Sequence, residues 1–263
     1  MIDPNRIRKV ILERSYATGT GHIGCSLSVA EIVASMIEAY FSLDTLEKPD
    51  RNRIVLSKGH AALAYYAGLN LIGALGDEEL AEYLVDGTSL GVHPDRSVPG
   101  IDFSTGSLGM GFTFAAGAAL AARLDGSARR VVALLSDGEC NEGSIWETAL
   151  FASHRNLGNL LAIVDLNGQQ ALGNTEEILS MHPFAEKWRA FGWTVYEVDG
   201  HDAEEILRLM TEHKSESAEA PPTILIAKTT FGKGVSYMEN QVEWHYRPMN
   251  SSQYETAIQE VSR

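Results

Sequence analysis

Cysteine is scarce in this sequence. The two thiols, Cys25 and Cys140, lie far apart and build neither a CxxC pair nor a zinc pattern, which excludes a disulfide framework. Positive charge is sparse as well: 21 Lys+Arg stand against 35 Asp+Glu, a net charge of −14. Nucleic acids and anionic membranes are held by Lys and Arg, so neither is expected as a partner. Long apolar runs are missing too. The nearest, Gly109 to Leu124, is Gly- and Ala-rich and ends beside Arg123, and is expected to be a buried helix and not a membrane span. The first sixteen residues carry charge throughout, which predicts no signal peptide and a cytoplasmic, soluble protein. Repeats and low-complexity segments are absent. With so little positive charge, any anionic ligand has to be held by a local device, a metal ion or a helix N-terminus.

The remaining composition is that of a globular protein, with 263 residues, 44% hydrophobic and 21% charged. Residues 1–263 are expected to form a single domain. A helix is expected over Asn5 to Tyr16, from the spacing of Ile7, Val10, Ile11 and Arg14. A second should start at Ser28, with Ser28 and Glu31 as a capping box. Short apolar runs predict strands at Arg53–Leu56, Val131–Leu135, Leu160–Leu166, Thr194–Val198 and Thr223–Ala227. Helices are expected at Ser144–His154, Pro183–Phe191 and Asp202–His213, and Lys214–Pro222 reads as a surface connection. The alternation of near-continuous apolar strands with helices predicts an α/β fold: a doubly wound, mostly parallel sheet with helices on both faces. Such sheets bind ligands beyond the carboxyl ends of their strands.

Two strand ends carry chemistry. Ser136-Asp137-Gly138 follows one strand, and Asn167-Gly168-Gln169 follows the next. A carboxylate and an amide oxygen converging on one sheet edge suit a hard cation such as Mg²⁺, and Gly138 would let a diphosphate approach the backbone. Each dipeptide is equally at home in an ordinary turn; the pairing at one βαβ spacing is what points to a site. Four histidines occupy glycine- or proline-marked loops: His22 (GHIG), His60 (SKGHA), His93 (GVHPD) and His245 (EWHYRP). Imidazoles in such loops suit proton transfer and oxygen recognition. His154, His182, His201 and His213 are expected to be structural, with a His213 cation complementing a helix C-terminus. The GxGxxG match at Gly19–Gly24 follows a helical segment and not a strand, so it carries no dinucleotide signal. Phe231-Gly232-Lys233-Gly234 lacks the spacing of a Walker A loop.

Taken together, GHIG (21–24), LSKGHA (56–61), GVHPDR (91–96), STGSLGMG (104–111), SDGECNEG (136–143), VDLNGQQ (164–170) and FGKGVS…EWH (231–245) resemble the amino-terminal part of a transketolase, colinearly over nearly the whole chain. The resemblance implies the thiamin-diphosphate-binding fold, with thiamin diphosphate and a divalent metal, usually Mg²⁺, as cofactors. It assigns metal ligation to the Asp137 and Asn167 side chains and the Gln169 carbonyl. Gly106, Ser107, Leu108, Gly138 and Asn167 would contact the cofactor, with His60 and His245 near the diphosphate. His22, His93 and His245 would face the substrate hydroxyls as catalytic residues, and Glu142 would join a carboxylate network between subunits. Ser136 replaces the family's glycine before the metal aspartate, and Ile23 replaces the proline of its GHPG.

The chain is also much shorter than a transketolase. The resemblance therefore implies the first subunit of a split enzyme, active only with a separate carboxy-terminal, pyrimidine-binding subunit in an α₂β₂ assembly (a heterotetramer). The implied reaction moves a two-carbon ketol unit from a ketose or its phosphate to an aldose or its phosphate. Two other readings stay open on the sequence. One is half of a deoxyxylulose phosphate synthase-like enzyme or of a 2-oxo acid dehydrogenase component. The other is a non-catalytic thiamin diphosphate-binding or regulatory module.

Overall fold

The computed structural model describes residues 1–215 and 217–262. Five parallel strands form one sheet: β1 (Arg53–Leu56), β2 (Val131–Ser136), β3 (Leu160–Leu166), β6 (Thr194–Asp199) and β7 (Thr223–Lys228), in the order β1-β2-β3-β7-β6. β4 (Gln169–Gln170) and β5 (Gly173–Asn174) form a small antiparallel hairpin beyond the end of β3. The helices are α1 (Pro4–Thr18), α2 (Ile23–Ser28), α3 (Ala30–Tyr40), α4 (Ala62–Leu71), α5 (Asp77–Ala81), α6 (Met110–Leu124), α7 (Gly143–His154), α8 (Thr175–Leu179), α9 (Phe184–Ala190), α10 (Ala203–Ser215) and α11 (Ser251–Val261).

The period of two along each strand sorts its side chains into two cores. Ile54, Leu56, Val132, Leu134, Leu161, Ile163 and Leu225 face one layer, with α1, α3, α4 and α10. Val55, Val131, Ala133, Leu135, Ala162, Val164 and Ile226 face the other, with α6, α7 and α9. Each such side chain removed from water contributes roughly 1.5–3 kcal/mol, which explains why strands covered on both faces read as unbroken apolar runs. All five strands run the same way, so the loops after β1, β2, β3 and β7 emerge on one edge.

Three local expectations are corrected. Ser28 does not cap a helix: it ends α2, and its hydroxyl points inward, 2.9 Å from Asp165 Oδ2. Glu31 is drawn instead to the Arg8 guanidinium at 2.6 Å and His201 at 3.1 Å. A capping box does occur at Asn250 and Gln253, opening α11. α6 is buried on one stripe only (Phe112, Ala115, Ala116, Ala119), while Met110 and Leu124 are exposed. His213 is not a cation at a helix end. It is 1% exposed, its Nδ1 sits 2.9 Å from the Tyr40 hydroxyl, and burial, then Arg130, lowers its pKa from 6.5 to about 4. The expected connection Lys214–Pro222 includes Glu216, which lies outside the described residues. Among the described residues, no helix is long and apolar enough to cross a membrane.

His213 generates a pH prediction. Its folded pKa lies below its unfolded one, so the fold favours the neutral ring. The stability it contributes is complete above pH 6.5 and is lost as pH falls toward 4. The ceiling on this effect is roughly 3 kcal/mol. Thermal unfolding of H213Q, followed by circular dichroism, should show a shallower fall of Tm between pH 6.5 and 4 than the parent; an unchanged slope would refute the assignment.

Candidate active site

A cavity of about 300 Å³ opens at the carboxyl edge of the sheet. His60 reaches it from the loop after β1, Gly138 and Glu139 from the turn after β2, Asn167, Gln169 and Gln170 from the loop after β3, and His245 from the segment after β7. His22, Cys25, His93, Gly106 and Leu108 complete much of the wall. All four loop histidines singled out in the sequence thus meet in one place. Asp137, 3% exposed, does not line this cavity but a separate small one with Leu166 and Thr175, and Ser107 is exposed.

The histidine cluster is fixed by backbone. His22 sits at φ 58°, a left-handed conformation unusual for a side-chain-bearing residue, at the N-cap of α2. Its N–H donates to the His245 carbonyl at 2.8 Å. The two rings lie 5.1 Å apart edge to face, and His60 is 5.6 Å from His22 and 5.8 Å from His245. Phe231 stacks under His245 at 6.0 Å. Phe231 can reach that position because residue 24 is glycine: a Cβ there would come within 2.2 Å of the Phe231 ring. Ile23, where the family's motif has proline, opens α2 and is fully buried in the core. Burial lowers the pKa of His22, with His93 and Lys58 adding to it, and places His60 well below the ordinary range. His245 is brought to about 4 by burial, then His22 and Lys58. At neutral pH these three rings are uncharged, each with one N–H and one lone pair to offer.

Beneath them lies a buried polar network that sequence reasoning missed. Asp165 is fully buried. Its Oδ2 accepts from Lys58 Nζ, lies 2.9 Å from Ser28 Oγ and accepts from Asn167 Nδ2 at 2.7 Å, while Oδ1 accepts from Thr229 Oγ1. Burial works against the Lys58 ammonium, but Asp165, with Cys25 and Asp137 adding to it, more than offsets burial and raises the pKa above the usual value. The Asn167 amide is thereby pinned with its NH₂ inward; its Oδ1 accepts from the Gln169 N–H at 2.9 Å. Asp137 accepts from the Gly138 N–H at 2.8 Å and the Gly168 N–H at 2.7 Å. Burial, then Asp165, pushes its pKa up to about 7. A charged element in the sequence, the Lys58 of LSKGHA and the Asp165 of VDLN, was the available signal; nothing in their spacing says that they pair.

Glu139 ties the second wall together. Its carboxylate accepts from the Ser57 hydroxyl, from the Gly109 N–H at 2.6 Å and from the Ser136 N–H at 3.3 Å. Gly109, at φ 84°, turns the chain into α6 so closely over Ser144 that a Cβ would lie 2.1 Å from its hydroxyl. Glu142 is exposed.

The donor set fits a divalent cation and a diphosphate. Asp137 and Asn167 present hard oxygens, and among the described residues the buried Asp137 carboxylate has no cationic partner in contact, so a metal would meet an unsatisfied charge. No Lys or Arg lines the cavity among the described residues; the negative charge of a diphosphate would therefore be offset by the metal. Replacing Asp165 by Asn would leave the Lys58 ammonium buried and unpaired. D165N should lose about 3–5 kcal/mol of stability, read as a lowered Tm by calorimetry, and a neutral result would show that Lys58 does not depend on the pair.

The model of the family "Transketolase, thiamine diphosphate binding domain" matches residues 4–261. The 6-deoxy-6-sulfo-D-fructose transketolase subunit SqwG of Clostridium sp. (strain MSTE9) is 40% identical, over 98% of this chain and 94% of that protein. An apulose-4-phosphate transketolase subunit of Phocaeicola vulgatus is 38% identical, over 97% of this chain and 91% of its own length. The crystal structure of transketolase from Campylobacter jejuni superposes with a TM-score of 0.89 at 28% identity, covering 98% of this chain but 42% of that one. The chain thus spans nearly all of relatives named as subunits and less than half of the Campylobacter jejuni transketolase chain. With its fold, its family match and its relatives in agreement, this chain belongs to the transketolase family, as a thiamine diphosphate-binding domain.

Proposed function

We propose that this chain is the thiamin diphosphate-binding subunit of a two-polypeptide transketolase, in which a pyrimidine-binding subunit completes the site in an α₂β₂ assembly in the cytoplasm. The observation that carries this reading is one cavity at the carboxyl edge of the sheet that gathers His22, His60, His93 and His245 with Asn167, next to a turn where Asp137 accepts from the Gly168 N–H. Subunit names of the two relatives that this chain covers almost completely support the same reading.

Asp137, Asn167 and the Gln169 carbonyl would hold Mg²⁺, oriented by Asp165 and by the Gly138 and Gly168 N–H groups. Gly106, Ser107, Leu108, Gly138 and Asn167 would lie against thiamin diphosphate, with His60 and His245 beside its diphosphate. The cofactor, when bound, supplies the electron sink for cleaving and forming the carbon–carbon bond. The chain's own part is to position and to move protons. Uncharged His22 and His245 can each take a proton from a sugar hydroxyl at one nitrogen or donate one to an aldehyde oxygen, and His93 would hold a hydroxyl of the two-carbon unit. Such acid–base help is worth roughly 10²–10⁴ in rate.

Substrates of the named relatives include a sulfonated ketose and a sugar phosphate. Among the described residues, the cavity wall contributed by this chain contains neither Lys nor Arg, so the anionic tail of a substrate would be gripped by the partner subunit, and this chain would recognise only the hydroxyl-bearing end common to ketoses.

Affinity capture of the tagged chain from its source cells, in thiamin diphosphate and Mg²⁺, should bring down one stoichiometric partner, and the complex should transfer ketol units between ketose and aldose. A chain that neither captures nor reconstitutes with such a partner would favour a non-catalytic binding module. Within the assembled enzyme, H22A should lower kcat by at least tenfold while thiamin diphosphate affinity holds; equal loss of both would remove His22 from proton transfer. D137A should abolish Mg²⁺-dependent thiamin diphosphate binding in titration calorimetry, and retained binding would refute the metal assignment.

A further inference from the structure

In His22-Ile23-Gly24-Cys25 the histidine is the left-handed N-cap of α2 and the cysteine lies in its first turn. The His22 N–H bond to the His245 carbonyl then brings a second imidazole to the same point. Cys25 Sγ is 3.8 Å from His245 Nδ1. One ligand atom from each of the three residues lies within 4.8 Å of the other two. In a tetrahedral site with metal–sulfur and metal–nitrogen bonds of about 2.3 and 2.0 Å, neighbouring ligand atoms stand roughly 3.5 Å apart, so small side-chain rotations would close the set.

A second, independent observation points to a ligand. His22 Nδ1 is buried without a hydrogen-bond partner among the described residues, a state that costs free energy unless something fills it. The remaining direction from the three ligand atoms leads into the cavity, because His22, Cys25 and His245 all line its wall.

We propose that His22, Cys25 and His245 form a three-ligand site for a thiophilic divalent cation of the Zn²⁺ class, with its fourth position open to the cavity. An N₂S set selects borderline-soft ions and rejects Mg²⁺, whereas the Asp137–Asn167 oxygens select the reverse. The same cavity wall thus sorts two kinds of cation into two places. On binding, the Cys25 S–H bond breaks, its proton passes to solvent, and the sulfur forms the bond to the metal with no change in oxidation state. An ion seated there occupies the lone pairs of His22 and His245, which under the transketolase reading are the proton-transfer groups; Zn²⁺ would then act as an inhibitor of turnover. That consequence rests on the function proposed above, while the binding itself does not.

The test is a Co²⁺ titration of the purified full chain in excess Mg²⁺, followed by absorption. Tetrahedral Co²⁺ bound to thiolate gives a near-ultraviolet charge-transfer band and strong visible bands, both of which octahedral Co²⁺ on oxygen ligands lacks. The expected result is both sets of bands at one equivalent, displaced by Zn²⁺. They should be lost in C25A, weakened at least tenfold in affinity in H22N, and kept in C140A, whose thiol is buried elsewhere beside the Ser136 carbonyl. Absence of the charge-transfer band in the parent chain overturns the proposal whatever the variants do, as does its survival in C25A or its loss in C140A with retention in C25A. Mg²⁺-dependent thiamin diphosphate binding, measured on the same samples, reports the cofactor reading separately, so failure of one is distinguishable from failure of the other.

Discussion

A single buried ion pair, Lys58 with Asp165, underlies the geometry of the whole cavity. Asp165 takes donors from the loops after β1, β3 and β7 and from the end of α2: Lys58, Asn167, Thr229 and Ser28. Four segments far apart in sequence are therefore tied to one carboxylate. Isolating two charges from water costs several kcal/mol per ion, and only such saturation with hydrogen bonds makes the arrangement tenable. The return is directional: the Asn167 amide can face only one way, and the side of it that remains available is oxygen. Lys58 also spreads a positive potential upward, adding to the burial that keeps His22, His60 and His245 uncharged.

Above that pair the rings of His22, His60 and His245 are uncharged. The imidazoles are held by backbone and by aromatic packing on Phe231, while Glu139 fastens the opposite wall through Ser57, Gly109 and Ser136. Under the function proposed above, rigid positioning of uncharged rings would suit a site that takes up a dense anion with its metal and handles protons at sugar oxygens.

Much of this was legible in the sequence, and the reason is period. Strands covered on both faces give unbroken apolar runs, so all five strands of the sheet were readable to within a residue or two, and with them the loops that carry Asp137, Asn167 and His60. The glycines flanking His22, His60 and His93 marked those loops in advance. What was not legible depends on contacts that no local pattern encodes. Ser28 looked like a helix cap because Glu31 follows at the right spacing, yet both side chains answer to distant partners, Asp165 and Arg8. His213 read as a structural cation suited to a helix end, but it is buried against the Tyr40 hydroxyl of α3. The order β1-β2-β3-β7-β6 likewise follows from which crossovers pack together and not from any one segment. α11 did carry a signal that went unread, the Asn250–Gln253 capping box followed by Tyr254, Ala257, Ile258 and Val261 at helical spacing.

Among the described residues the cavity wall holds neither Lys nor Arg, and under the proposed function this bears on how such an enzyme can change. A polypeptide that carried the cofactor's diphosphate end and the proton-handling rings, but no grip on a substrate's charged tail, would be indifferent to which tail is presented. New sugar specificities could then arise by mutation or exchange of the other gene alone, with the costly, interlocked half of the catalyst inherited intact. Division into two chains would in that sense separate what must be preserved from what is free to vary.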